Sequence, residues 1–334
     1  MLPYENIKKI VADLEPAMRW DGAEPLADWQ ARARERLGKY LGIDRMIPCE
    51  PNLVIDWEKD EADYKEIRVR YETEPGYFAP CHIRIPKGAA LPLPTVICMQ
   101  GHSTGMHISL GVPKFPGDEQ DIVEGDRDFC VRAVKEGFIA IALEQRSFGE
   151  MGGNERGPRC FEEAMTNLLA GRTTIGERVW DVMRLVDLLL THELFRDTVK
   201  ADEIYTLGNS GGGTTSVYCG AMETRLAGTI PSCAVSSFAA SIGAMNHCAC
   251  NYVPRILDDF DMSELMAMTA PRKLVVVTGE KDGIFPVKEA KEMVAIAAKA
   301  YAAAGVPGRI AHCIGDGGHR FYADLAWPAL KAME

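Results

Sequence analysis

The rhythm of apolar and polar residues changes twice along the chain. Over the first 60 residues apolar positions are spaced among many charges. Asn6–Leu14 and Leu26–Leu41 have the spacing of helices, and Gly42 and Pro48 then interrupt the pattern. From Tyr64 the period shortens to two. Lys65–Glu72 (KEIRVRYE) alternates as a half-buried strand does, Gly76 breaks it, and Tyr77–Ile85 alternates again before Pro86 and Gly88. The two runs predict an antiparallel pair. Beyond them come short, wholly apolar runs at Thr95–Met99, Phe138–Leu143, Ile204–Leu207, Leu226–Ile230 and Leu274–Thr278, with Arg309–Ile314 as a more polar sixth. Such runs suit parallel strands covered on both faces. Ile122–Lys135, Ile175–Leu190, Gly211–Met222 and Val287–Ala303, lying between them, fit a period of 3.6. The alternation predicts an α/β fold, with a mostly parallel central sheet, a leading antiparallel hairpin and helices on both faces. Residues 1–60 read as an N-terminal helical extension, and residues 61–334 as one main domain with a small insertion near 233–265.

Composition narrows the class without choosing a chemistry. The 334 residues carry 37 Lys+Arg against 48 Asp+Glu, a net charge of -11. That balance argues against a nucleic-acid binder or a protein held on an anionic membrane, both of which need a basic face. The N-terminus lacks the apolar core of a secretory leader, and no run is long enough to span a bilayer, so a cytoplasmic protein is expected. The ten cysteines are scattered through apolar runs with no C-x-x-C pair. They read as small buried hydrophobes in a reducing compartment.

The richest segment is Glu203–Ala221, EIYTLGNSGGGTTSVYCGA. An apolar strand runs into Gly208-Asn209-Ser210-Gly211-Gly212, and a helical pattern follows at once, which is G-x-S-x-G in a strand–turn–helix setting. A sharp turn of this kind lifts the serine hydroxyl to the C-terminal edge of the sheet, where the next helix offers N–H groups to a developing oxyanion. The phosphate-binding alternatives G-x-G-x-x-G and G-x-x-x-x-G-K-[ST] are not matched. A nucleophilic serine needs a base, and the base an orienter. Of the histidines after Ser210, His312 lies in an apolar run and His247 in the irregular insertion. His319 sits in the glycine-rich loop Gly315–Phe321 after the last strand, the place for a base in an open α/β sheet. Asp282 directly follows the strand Leu274–Thr278 and is the candidate acid, with Glu280 as competitor and Asp258, Asp259 and Asp261 more remote. The oxyanion donors expected are the backbone N–H groups of Gly211 and of His102, with Ser103 as runner-up, from the loop after Thr95–Met99. Tyr252 and Arg255 are candidates for the pocket lining. His247-Cys248-Ala249-Cys250 lacks the cysteine spacing of a zinc motif and reads as structural cysteine.

In this order QGHSTG, EQRSFGEMGG, GNSGGG, GEKDGIFP and GDGGH, over roughly residues 64–334, resemble the α/β-hydrolases of the dienelactone-hydrolase, acetyl-xylan-esterase and prolyl-oligopeptidase-like branch. Glu144–Gly149 resembles that branch's D-x-R-G-x-G turn, with Glu144 in place of Asp and Ser147 in place of Gly, and the resemblance makes Arg146 a structural anchor. The expectation is a carboxylic-ester hydrolase working through an acyl-enzyme with Ser210, Asp282 and His319. Its substrate would be a small-molecule ester, with an acetylated carbohydrate or metabolite as the leading candidate, and it would need no metal or organic cofactor. The rivals are a short-peptide serine peptidase and a non-catalytic binding protein on the same fold. Neither nucleic acid nor membrane is expected as a partner, and a homo-oligomer is compatible with the sequence.

Overall fold

The structure is a computed structural model that describes residues 2–153 and 157–334; Met1, at the head of the N-terminal segment, lies outside them. Nine strands form one sheet: β1 Leu53–Asp60, β2 Tyr64–Glu74, β3 Tyr77–Pro86, β4 Leu93–Met99, β5 Ile139–Leu143, β6 Val199–Asn209, β7 Gly228–Ser232, β8 Lys273–Gly279 and β9 Ile310–Gly315. Their order in space is β1-β2-β3-β5-β4-β6-β7-β8-β9. The first three strands are antiparallel to their neighbours, and β3 pairs antiparallel with β5. Every pair from β5 to β9 is parallel. The mixed, mostly parallel sheet expected from the pattern is therefore present.

The apolar runs follow from burial on both faces. Along β8, Leu274 and Val276 join the larger core cluster, while Val275 and Val277 join the smaller one across the sheet. On the larger side the helix Thr174–Thr191 and the helix Gly211–Met222 cover the middle strands, and Leu26–Leu41 packs against both. Leu37 and Leu41 of that helix are fully buried, and each contributes roughly 2 kcal/mol by leaving water. The helix is also tied by polar groups: Gln30 Nε2 donates to the carbonyls of Ala267 (3.1 Å) and Ala270 (2.7 Å).

Two elements differ from the sequence pattern. β1 was not predicted, because it is an exposed edge strand: Val54, Ile55 and Trp57 face solvent, and the register slips between Ile55 and Trp57. An edge that buries neither face carries no alternation to read. The predicted helix Ile122–Lys135 is two helices, Asp118–Val123 and Phe129–Lys135. Asp126 has φ 54, in the left-handed region, so the helix cannot continue through it. The break sends Arg127 toward the sheet's C-terminal edge.

Candidate active site

The turn after β6 is built from close backbone contacts. A Cβ on Gly208 would lie 2.3 Å from the carbonyl carbon of Gly212, and one on Gly212 would lie 2.1 Å from the Met99 oxygen. Only glycine lets strand, turn and helix meet at these two positions. Between them Ser210 is held at φ 55, ψ -120, a sparsely populated conformation, with its N–H donating to Ser232 O at 2.8 Å. The helix Gly211–Met222 starts at once, so its first N–H groups point back toward the serine.

Asp282 and His319 come from the loops after β8 and β9. His319 Nδ1 lies 2.8 Å from Asp282 Oδ2, and Asp282 is buried. Burial alone would raise the Asp282 carboxyl. The hydrogen bond and charge of His319, joined by the N–H groups of Ile284 and Phe285, outweigh it and hold the carboxyl below its ordinary range. Asp282 is therefore a carboxylate at neutral pH and an acceptor, which places the proton on His319 Nδ1 and leaves Nε2 free to accept. Phe285 stacks on the His319 ring at 6.1 Å. Ser210 and His319 line one cavity of about 290 Å³ with His102, Arg127, Met245, Asn246, His247, Cys248 and Ile284. They share its wall without a direct hydrogen bond between them among the described residues.

The two oxyanion candidates differ in their partners. The Ser103 N–H donates to Gly101 O at 2.8 Å, whereas the N–H groups of His102 and Gly211 have no backbone partner among the described residues. The His102 ring lies over the elbow: a Cβ on Gly211 would be 2.9 Å from its Cε1. Phe148 meets the ring edge-on at 4.9 Å, and its Nε2 is 3.2 Å from Cys250 Sγ.

Other sequence candidates fall elsewhere. Tyr252 and Arg255 line grooves that contain none of Ser210, Asp282 or His319. The Tyr252 hydroxyl donates to Ile242 O, and Arg255 pairs with Asp258 at the surface. Glu280 is exposed, and Asp261 caps the helix Met262–Ala267. Asp259 pairs with Arg36 and Tyr40, and His312 bonds Thr278. Arg146 is buried against Asp181, Glu74 and Glu177, with its guanidinium over the Tyr77 ring. It anchors the β5 loop to the helix Thr174–Thr191, as the resemblance implied. Ser147 in that turn takes φ 67, the conformation that favours the glycine of the related motif.

The sequence missed two parts of the site. Arg127 donates to His319 O at 3.3 Å and to Asp121 at 3.1 Å, while its buried Nε has no partner. The Gly125-Asp126 pair was the signal that the chain turns there. The second is a sulfur cluster. Cys160 and His102 come to Cys248 and Cys250, and the four ligand atoms lie within 4.8 Å of one another. His247, the histidine of the local run, turns instead to Asn251 (2.8 Å) and Phe285.

No family model matches the chain. Among sequence relatives, the Bacillus subtilis protein YtaP, described as a hydrolase, is 24% identical over 238 residues, spanning 68% of this chain and 72% of that protein. Among solved structures, a Bacteroides fragilis protein designated an acetyl xylan esterase superposes with a TM-score of 0.79 at 17% identity, covering 95% of this chain and 83% of that one. The glucuronoyl esterase of Solibacter usitatus superposes with a TM-score of 0.70 at 16% identity, covering 96% and 99%. No helix among the described residues is long and apolar enough to cross a membrane. The sheet order, the strained elbow at Ser210 and these superpositions together give the chain the α/β-hydrolase fold.

Proposed function

We propose that this protein is a serine hydrolase of carboxylic esters, with Ser210, His319 and Asp282 as its catalytic triad. The observation that carries the reading is the Asp282–His319 hydrogen bond at the wall of the cavity into which the Ser210 elbow opens. Ser210 Oγ attacks the ester carbonyl and passes its proton to His319 Nε2. Asp282 holds the ring in the required tautomer and stabilises the imidazolium. The oxygen turns anionic as the tetrahedral centre forms, and the N–H groups of Gly211 and His102, unspent on other backbone groups, receive it. His319 then protonates the leaving alcohol, the acyl group stays on Ser210, and water repeats the sequence to release the acid.

The ester class is supported by the acetyl xylan and glucuronoyl esterases that share the fold, and a small substrate by the cavity's size. Because β1 pairs with β2, the catalytic unit would begin at Leu53 and not at residue 61, with the preceding residues as an extension clamped on it through Leu37 and Gln30. The test is labelling by a fluorophosphonate probe, expected for the native protein and absent in Ser210→Ala. A panel of p-nitrophenyl acyl esters, acetylated sugars and peptide amides then ranks the substrates. Turnover of amides alone would overturn the esterase reading, and unlabelled native protein would overturn the nucleophile.

A further inference from the structure

We propose that His102, Cys160, Cys248 and Cys250 form a closed binding site for one zinc ion in the wall of the Ser210 cavity. The four residues come from three separate segments: the loop after β4, the start of the helix Cys160–Leu169, and the short turn Ala249–Asn251 with the residue before it. Nothing in the chain's local pattern requires these segments to place their ligand atoms at one point. All four nevertheless lie within 4.8 Å of one another, with Cys248 Sγ 3.4 Å from Cys250 Sγ and His102 Nε2 3.2 Å from Cys250 Sγ. Tetrahedral zinc at about 2.3 Å from sulfur needs ligand atoms roughly 3.8 Å apart, so closure asks for movements of only about 1 Å. Three thiols and an imidazole are the donors of structural zinc, and they disfavour magnesium or calcium.

The surroundings fit a charged centre. Three thiolates and a neutral imidazole around Zn²⁺ sum to a charge of -1. The fully buried Arg178 guanidinium stands beside them, with Nη2 3.6 Å from Cys160 Sγ. It is held there by bonds to Arg146 O at 2.8 and 3.1 Å and by the face of Phe148 at 4.1 Å. A buried cation without a carboxylate partner is costly. Arg178 has none among the described residues, and the thiolate cluster supplies the missing charge. On binding, three S–Zn bonds and one N–Zn bond form, and the thiol protons leave to solvent.

With four protein ligands the ion has no open position for water or substrate, so its work is structural. It would tie the loop bearing His102 to the insertion bearing Cys248 and Cys250, fixing the His102 backbone beside Ser210. The inference rests on these four side chains and Arg178, and holds or fails independently of the catalytic role of Ser210.

The test starts with the native protein purified under reducing conditions without chelator. Metal analysis is expected to find about one zinc per chain. Protein grown on Co²⁺ should show thiolate-to-cobalt charge transfer and the intense d–d absorption of a tetrahedral site. Cys248→Ser/Cys250→Ser should lose both signals. The cobalt spectrum of the native chain stands alone if that variant does not fold. Fluorophosphonate labelling of Ser210 in the same samples reports the other reading separately. The proposal is overturned if native protein holds no metal and takes up neither Zn²⁺ nor Co²⁺. It is also overturned if the double variant retains the ion, or if a Cys248–Cys250 disulfide persists in reductant.

Discussion

Two walls of one cavity face Ser210, and they are built on opposite plans. On one side Asp282 and His319 make a pair in which a single hydrogen bond fixes a ring whose far nitrogen stays open to the cavity. On the other, His102 has its ring pinned by Phe148, Cys250 and the elbow, so that its backbone N–H is the group left over. The first wall leaves a side-chain atom free to exchange a proton. The second immobilises the side chain and presents the main chain. The proposed acyl transfer would use both kinds of group, since the proton must move while the oxyanion donors must already be in place. Rate should therefore be sensitive to charge on the first wall, and stability and metal content to charge on the second.

The largest effect should come from the residue between the walls. Ser210→Ala is expected to lower kcat by on the order of 10⁶ without changing the melting temperature downward, as measured by ester turnover and thermal unfolding. Next, Asp282→Asn should cost about 10⁴ in kcat, because an amide favours the wrong imidazole tautomer. An Asp282→Asn protein with near-native turnover would remove the distinction between the walls. On the thiol side, Arg178→Met should leave kcat within a few-fold but cost about 3 kcal/mol in urea unfolding, since it strips a buried cation from the charges around it. If that variant lost kcat and kept its stability, the second wall would belong to the chemistry.

The walls were unequally legible in the sequence. The elbow is contiguous, and its glycines are demanded by contacts within a few residues, so Gly208–Gly212 could be read directly. Asp282 follows an apolar strand and His319 sits in a glycine-rich loop after the more polar last strand, so chain order and loop composition made both of them candidates. The thiol wall offered no such signal. Cys248 and Cys250 have the wrong spacing for a local zinc motif, and their partners lie at positions 102 and 160, brought near only by the tertiary fold. Arg127 was hidden for a different reason: the period of 3.6 runs on across Gly125-Asp126, and periodicity does not report a φ of 54 at Asp126. Tyr252 and Arg255 share a groove with Val11 and Leu14, apart from the cavity lined by Ser210 and His319.

The smallest effect concerns the loop that carries His102. His102 opens a segment whose other end is tied by Asp118, which accepts from Thr104 (2.6 Å), His107 Nε2 (2.8 Å) and the N–H groups of Lys114 and Phe115. Burial alone would raise the Asp118 carboxyl, but these four donors outweigh it and hold it at about 2. A carboxyl depressed in the folded state stabilises the fold above its ordinary value of 3.8, and that contribution disappears as the pH falls toward 2. The depression corresponds to about 2 kcal/mol. Asp118→Asn should therefore be less stable than the native protein by about 2 kcal/mol at pH 6 in urea unfolding. Most of the gap should close as the pH is lowered from about 4 to about 2, where the native carboxyl is half protonated. A gap that stayed constant over that range would mean that Asp118 holds the loop by shape alone. The anchoring of His102 would then rest on the sulfur cluster and Phe148, a heavier load on the second wall than the hydrogen bonds of Asp118 now imply.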